Sequence, residues 1–120
     1  MIDGYKGLIV WQKAMDLVEE TYRITKSLPR EELYALSDQM RRAAISIPSN
    51  IAEGHVRKTK KEYANFLSIA RGSNAELQTQ FQICIRLQYT TEEKTEKALQ
   101  LTEEIGKMLQ AIIQKLNVEV

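Results

Sequence analysis

Apolar residues recur at helical spacing along almost the whole chain. The first such face consists of Trp11, Met15, Val18, Tyr22 and Thr25, with Ala14 beside them. These positions step by four and three residues, which predicts one side of a helix over Leu8–Ser27. Pro29 interrupts the pattern, because proline lacks the amide hydrogen that a continuing helix needs. A short helical turn over Glu31–Leu36 is predicted to follow.

A second helix is predicted to begin at Ser37, a residue type that often caps a helix N-terminus. Its apolar side is formed by Met40, Ala43, Ala44, Ile47 and Ile51. Pro48 lies inside this pattern and predicts a kink, because its ring would clash with the carbonyl of Ala44. Gly54 suits the position that ends the helix.

Two capping boxes predict where the third and fourth helices begin. Thr59 and Glu62 form the first, and Thr90 and Glu93 form the second. The third helix is predicted to reach Gln88, with its apolar face made of Tyr63, Phe66, Leu67, Ala70, Leu77, Phe81, Cys84, Ile85 and Leu87. The fourth carries Ala98, Leu101, Ile105, Met108, Leu109, Ile112 and Leu116. Gly72 lowers helix propensity, which predicts that another helix approaches closely there.

These patterns predict an all-α protein, an antiparallel up-down four-helix bundle with a kinked second helix. The chain has 120 residues, the size of one domain, so we expect a single bundle over 1–120. Five Gly and two Pro are too few for a turn-rich β-sandwich or barrel. The single Cys84, the absence of a signal-peptide pattern and the lack of a long apolar run predict a cytoplasmic protein without a membrane segment.

The sequence lacks the motifs of common enzymes and cofactor sites. Glycine-rich phosphate loops, paired Cys ligands, H-E-x-x-H and G-x-S-x-G are all absent. His55, the only histidine, is interpreted as a solvated residue near a helix end, and Cys84 as a packed core residue. We therefore expect no catalytic residues, no metal, no cofactor and no small-molecule substrate.

A stripe of polar residues follows one side of the second helix, and further polar residues lie at the middle of the third. The set comprises Gln39, Arg42, Ser46, Asn50, Glu53, Ser73 and Glu76. Short amides and hydroxyls suit a semi-buried hydrogen-bond network, and the alternative is a solvated outer face. In the first interpretation we expect Arg42 to pair with Glu76 or Glu53 and fix the helix register.

The net charge of +1 conceals an uneven distribution. Between His55 and Gly72 there are five basic residues and one acidic residue, whereas residues 92–120 carry six Glu and four Lys. The candidate phosphate-binding residues are Arg41, Arg57, Lys58, Lys60, Lys61 and Arg71. Aromatic residues that could stack on bases are scarce, so such binding would be salt-sensitive and led by the nucleic-acid backbone. The alternative is a solvated connection between helices.

The chain also resembles a known family. The segments that carry the resemblance are Leu8–Ala14, Gln39–Ala44, Ser46–Gly54 (Ser-Ile-Pro-Ser-Asn-Ile-Ala-Glu-Gly), Phe66–Ser73 and Glu76–Leu77. They look like the bacterial four-helix-bundle proteins, also called 23S rRNA intervening-sequence proteins, over nearly the whole chain. Gly7 departs from the pattern, since members often carry an acidic or polar residue before the Leu.

This resemblance implies a four-helix bundle that assembles into a homo-pentameric ring. Some members are encoded within insertions in ribosomal RNA genes, and a related accessory protein of diversity-generating retroelements is a basic pentamer that binds nucleic acid and a reverse transcriptase. The leading hypothesis is thus a non-enzymatic, self-associating bundle that binds RNA, DNA or a nucleoprotein partner weakly. The second is a purely protein-binding oligomeric scaffold, and the third a small enzyme with an unrecognised site.

Overall fold

Four long helices account for most of the chain. The computed structural model describes residues 4–116, so the first three residues and residues 117–120, with Glu119 among them, lie outside it. The helices are α1 (Ile9–Thr25), α2 (Leu36–His55), α3 (Lys60–Arg86) and α4 (Glu92–Leu116), with single 3₁₀ turns at Gly4–Gly7 and Arg30–Glu32. Residues 4–116 contain no strand. The predicted all-α fold of four helices is confirmed.

The helices form a closed ring in which each one packs against two neighbours. α2 lies between α1 and α3, α3 lies between α2 and α4, and α4 also packs on α1. Contacts between α1 and α4 run in opposite chain order: the Lys13 Nζ is 2.7 Å from the Glu104 Oε2, and Arg23 donates to the Lys94 carbonyl at 3.2 Å. α2 continues through Pro48 to His55, and the predicted kink stays a prediction.

The apolar face predicted for α1 is wrong by one residue. The residues of α1 that reach the core are Val10, Ala14, Leu17, Thr21, Ile24 and Thr25. Of the predicted set, Ala14 and Thr25 are buried, whereas Trp11, Val18 and Tyr22 are half-buried and Met15 is 39% exposed. Helical spacing fits both sets of residues, because α1 carries large side chains on two adjacent faces. Spacing alone therefore does not decide which face reaches the core.

The core faces of the other helices follow the predicted spacing more closely. Every apolar residue predicted for α2 is buried, as are Leu67, Ala70, Leu77, Phe81 and Cys84 of α3. On α4, Ala98, Leu101, Ile105 and Leu109 are buried, and the remaining predicted residues are half-buried. Leu87 is the exception, since it follows the end of α3 and is 52% exposed.

One helix start agrees with the sequence and two differ. The Thr59 hydroxyl accepts from the Glu62 amide at 3.1 Å, as the first capping box predicts. The second box is wrong by one residue, because Thr91, and not Thr90, accepts from the Lys94 amide. Ser37 lies buried inside the first turn of α2, and its predicted capping role is also wrong.

α3 ends two residues earlier than predicted. Gln88 adopts a left-handed backbone with φ of 63°. Its amide donates to the Ile85 carbonyl at 3.0 Å, and the Tyr89 amide donates to the Cys84 carbonyl at 2.9 Å. This pair of reversed hydrogen bonds is a Schellman motif, which satisfies the last carbonyls of α3 and turns the chain toward α4.

The roles predicted for two glycines are both wrong. Gly54 lies within α2, whose last residue is His55, and so it does not end the helix. A Cβ at Gly54 would lie 2.7 Å from the Phe66 Cβ and 3.0 Å from the Tyr63 Cδ1. At Gly72, where a close approach was expected, such an atom would have no neighbour within 4 Å. The close contact between helices therefore occurs at Gly54.

Cys84 packs in the core, as predicted. Its side chain is fully buried, and the Sγ lies 3.5 Å from the Met40 Sδ across the α2–α3 contact. Burial raises the pKa of the Cys84 thiol to about 11, with a smaller contribution from the charge of Glu32. The thiolate, which is the reactive form, is therefore a minor species at neutral pH.

We expect opposite effects from alanine at the two glycines. Gly54→Ala should destabilise the fold by about 1–3 kcal/mol, because the added methyl group forces α2 and α3 apart. Gly72→Ala should stabilise it by up to about 1 kcal/mol, because alanine favours the helix and meets no neighbour. Urea unfolding of both variants measures the difference. A stabilised Gly54→Ala protein would contradict the close approach.

We also expect Cys84 to be protected from thiol reagents. Near neutral pH the native protein should be labelled far more slowly than the same chain in concentrated guanidinium chloride, because both access and the thiolate fraction are low. Time-resolved labelling with a chromogenic disulfide checks this. Native labelling as fast as that of the denatured chain would show that Cys84 is accessible.

Candidate nucleic-acid interface and interaction surface

Three lysines at the connection between α2 and α3 form the clearest cationic surface. Lys58, Lys60 and Lys61 are exposed and belong to none of the ion pairs of residues 4–116. They surround Thr59, whose capping of α3 sets where the helix begins. The α3 N-terminus adds the partial positive charge of its unpaired amides. We call these three lysines the cationic turn.

Arg57 belongs to the same connection, but its charge is compensated. Its Nη2 lies 2.7 Å from the Glu53 Oε1, one helical turn back in α2. The guanidinium carbon also sits 4.9 Å from the centre of the Phe66 ring, a cation–π distance. His55, the last residue of α2, is half-buried, and its ring lies edge-on to the Tyr63 ring with the ring centres 5.6 Å apart.

The other two candidate arginines lie elsewhere. Arg71 is eleven residues beyond Lys60, about 16 Å along the helix, and donates to the Gln110 Oε1 of α4 at 3.3 Å. Arg41 is near the start of α2, about 24 Å from Arg57 along the helix axis. The predicted basic residues therefore lie in three separate places, because residues several turns apart on a helix are far apart in space.

Part of the polar stripe forms a hydrogen-bond chain between α2 and α3. The hydroxyls of Ser46 and Ser73 are 2.8 Å apart. The Asn50 Nδ2 donates to the Ser46 carbonyl at 2.8 Å and to the Ser46 hydroxyl at 2.9 Å. Gln39, Arg42 and Glu76 line a shallow groove beside these two serines. The structure therefore brings the middle of the stripe together across the helix pair.

The ion pair predicted for Arg42 is wrong. The Arg42 Nε binds the Asp38 Oδ2 at 3.0 Å, one turn earlier on α2, and its side chain is 80% exposed. Glu53 binds Arg57 instead, and Glu76 accepts only a long hydrogen bond of 3.5 Å from Gln80. An acidic residue one turn away on the same helix is nearer than a partner on another helix, and such exposed pairs contribute little stability.

The burial of two side-chain amides was not predicted from the sequence. Asn74 and Gln80 are 4% and 5% exposed, and each has a side-chain oxygen without a hydrogen-bond partner among the described residues. The Asn74 Nδ2 donates to the Thr102 carbonyl at 2.9 Å and lies against Gly106. Their positions fit the helical spacing of Ala70, Leu77 and Phe81, so the periodicity contained the signal.

The outer side of α1 and α2 presents an apolar groove of about 310 Å³. It is lined by Tyr5, Trp11, Met15, Val18, Ile45, Pro48, Ser49 and Ala52. Met15 and Ile45 are 39% and 44% exposed, and the rings of Tyr5 and Trp11 meet edge-to-face at 5.4 Å. Exposed patches of large apolar side chains are typical of interaction sites. We call it the α1–α2 groove.

Within residues 4–116, no three His, Cys, Asp or Glu side chains are grouped so that they could hold a metal ion. None of the helices in this range combines the length and the apolar character needed to cross a lipid bilayer.

Comparison with known proteins identifies the family. The sequence model of the 23S rRNA-intervening sequence protein family matches residues 6–111. A solved structure from Bacteroides thetaiotaomicron, described as a protein of unknown function from the S23 ribosomal protein family, is 28% identical with a TM-score of 0.82. The match covers 88% of this chain and 99% of that chain. A search of the curated proteins found no match. The chain therefore belongs to the 23S rRNA-intervening sequence protein family.

Proposed function

We propose that this protein is a non-enzymatic, self-associating bundle that binds the phosphate backbone of RNA or DNA, or a nucleoprotein partner, through the cationic turn. The observation that carries the proposal is the set of three exposed lysines within four positions, without an ion-pair partner among the described residues. The family is named for an intervening sequence of 23S rRNA, which makes RNA the first nucleic acid to test.

The surroundings of the turn favour phosphate contacts over base recognition. The nearest aromatic residues, Tyr63 and Phe66, are half-buried and pack against Gly54, so their faces are not free to stack on bases. Ammonium groups on flexible stems bind phosphates as point charges. Binding of this kind is independent of sequence and weakens as the salt concentration rises.

Self-association would strengthen such binding, and the α1–α2 groove supports it. The groove is apolar, partly exposed and separate from the cationic turn. A ring, with five copies as the family resemblance implies, would repeat the turn around its circumference. Several weak contacts on one nucleic acid then act together, because each further contact forms within an existing complex.

The alternative is an oligomeric scaffold that binds only proteins. The α1–α2 groove favours this function as well, since an apolar surface of this kind also suits a helix from another protein. In that case the cationic turn is simply solvated, and the two functions differ in whether the turn affects binding of RNA.

The oligomeric state is tested by light scattering. We expect a mass that is a multiple of 13.8 kDa, five times that value for the pentamer. Met15→Asp with Ile45→Asp should lower the mass, because two buried carboxylates oppose closure of an apolar interface. Ile83→Asp, at a similarly exposed apolar position on α3, is the matched control. A wild-type mass of 13.8 kDa would exclude self-association.

RNA binding is tested by filter binding across a salt series. Replacing Lys58, Lys60 and Lys61 with Gln should weaken binding to a structured RNA and lower the slope of log affinity against log salt by about two to three. The matched control replaces Lys94, Lys97 and Lys107 of α4, which removes the same charge from another surface. Equal losses in both triple variants, or binding insensitive to salt, would favour the protein scaffold.

A further inference from the structure

A second cationic site lies at the opposite end of α2. The connection between α1 and α2 encloses a pocket of about 300 Å³. Three cationic residues line it, namely Lys26, Arg30 and Arg41, together with the hydroxyl residues Thr25 and Ser37. Leu28, Pro29 and Leu33 complete the lining, and we call this site the connection pocket. The three cations come from the end of α1, the 3₁₀ turn and the start of α2, so the fold gathers charges that the sequence separates.

No carboxylate lines the connection pocket. Its lining contains no Asp or Glu, and none of its three cations takes part in an ion pair within residues 4–116. Glu32 and Asp38 lie outside the lining, where Glu32 accepts from the Tyr89 hydroxyl at 2.8 Å and Asp38 binds Arg42. Glu31 is exposed and lies outside the lining. Cations held together without a counter-charge favour an anionic ligand.

Arg41 is held in position before any ligand arrives. Its Nε donates to the Thr25 Oγ1 at 2.9 Å, and its guanidinium carbon lies 4.9 Å from the centre of the Tyr22 ring. The Thr25 hydroxyl in turn donates to the Thr21 carbonyl at 2.8 Å. The two Nη groups of Arg41 have no hydrogen-bond partner among the described residues. They form a fork that suits two oxygens of one phosphate.

We propose that the connection pocket binds a phosphate monoester. Arg41 would bind two phosphate oxygens, and Lys26 and Arg30 would balance the remaining charge. The apolar wall formed by Leu28, Pro29 and Leu33 leaves room for the carbon part of the ester. Such a group occurs on a free nucleotide and at the 5′ end of a nucleic-acid strand, and both sources offer the same chemistry.

This site is independent of the proposed function. Arg41 lies about 24 Å along α2 from Arg57, beyond the reach of one phosphate. The cationic turn can therefore fail to bind RNA while the connection pocket binds phosphate, and the reverse also holds.

The test is an NMR titration of the full chain with inorganic phosphate at constant ionic strength. We expect shifts at the Arg41 Nε–H and at the backbone amides of residues 25–41. Arg41→Gln and Arg30→Gln should each raise the Kd about tenfold or more, the loss of one charge-assisted contact. Arg30 lies in an exposed 3₁₀ turn, so its variant keeps the fold if Arg41→Gln does not. Lys97→Gln on α4 is the control and should leave the Kd unchanged.

Three outcomes would overturn the phosphate site. They are the absence of shifts in residues 25–41, shifts confined to the cationic turn, and equally tight binding of acetate. Two further probes identify the source of the ester: adenosine monophosphate, and a short RNA with a 5′-phosphate. The same RNA with a 5′-hydroxyl should bind without shifts at Arg41, and equal shifts with both RNAs would contradict a monoester site.

Discussion

The close approach of α2 and α3 at Gly54 is the constraint on which the rest of the structure depends. These two helices share the most extensive contact of the bundle, and a side chain at Gly54 would collide with Phe66. The absence of that side chain lets the end of α2 meet the start of α3 within a four-residue connection. All four residues of this connection are exposed, and so are Lys60 and Lys61 in the first turn of α3.

Local pairing decides which charges remain available. Three arginines bind a carboxylate of their own helix one turn away, in the pairs Arg23–Glu20, Arg42–Asp38 and Arg57–Glu53. A helix favours such pairs where opposite charges lie three or four residues apart. Lys26, Arg30, Lys60 and Lys61 have no acidic residue at such spacing. Arg41 and Lys58 do, but Asp38 binds Arg42 and Glu62 accepts from the Thr59 hydroxyl. A net charge of +1 is therefore compatible with two separate cationic sites.

The sequence predicts the elements of this fold better than the use of their surfaces. Helix number, the Thr59 cap and the buried side of α2 follow from periodicity and capping, which are local properties. Which face of α1 reaches the core does not follow from them, because two equally regular sets of apolar residues begin at Val10 and at Trp11. The close contact between helices at Gly54, and the lack of one at Gly72, depend on tertiary packing. The position of Arg41 does too, because only the folded α1–α2 connection brings it beside Lys26 and Arg30.

The second apolar face of α1 lines the α1–α2 groove. A helix in a monomeric bundle needs one apolar face, yet α1 buries Leu17 and also presents Met15 on the outside. Thus α1 supplies more apolar surface than the bundle itself covers. The α1–α2 groove runs beside the middle of α2, whereas the cationic turn and the connection pocket lie at its two ends. Copies joined through the groove would leave both ends of α2 open to solvent, so self-association and anion binding are compatible on one small bundle.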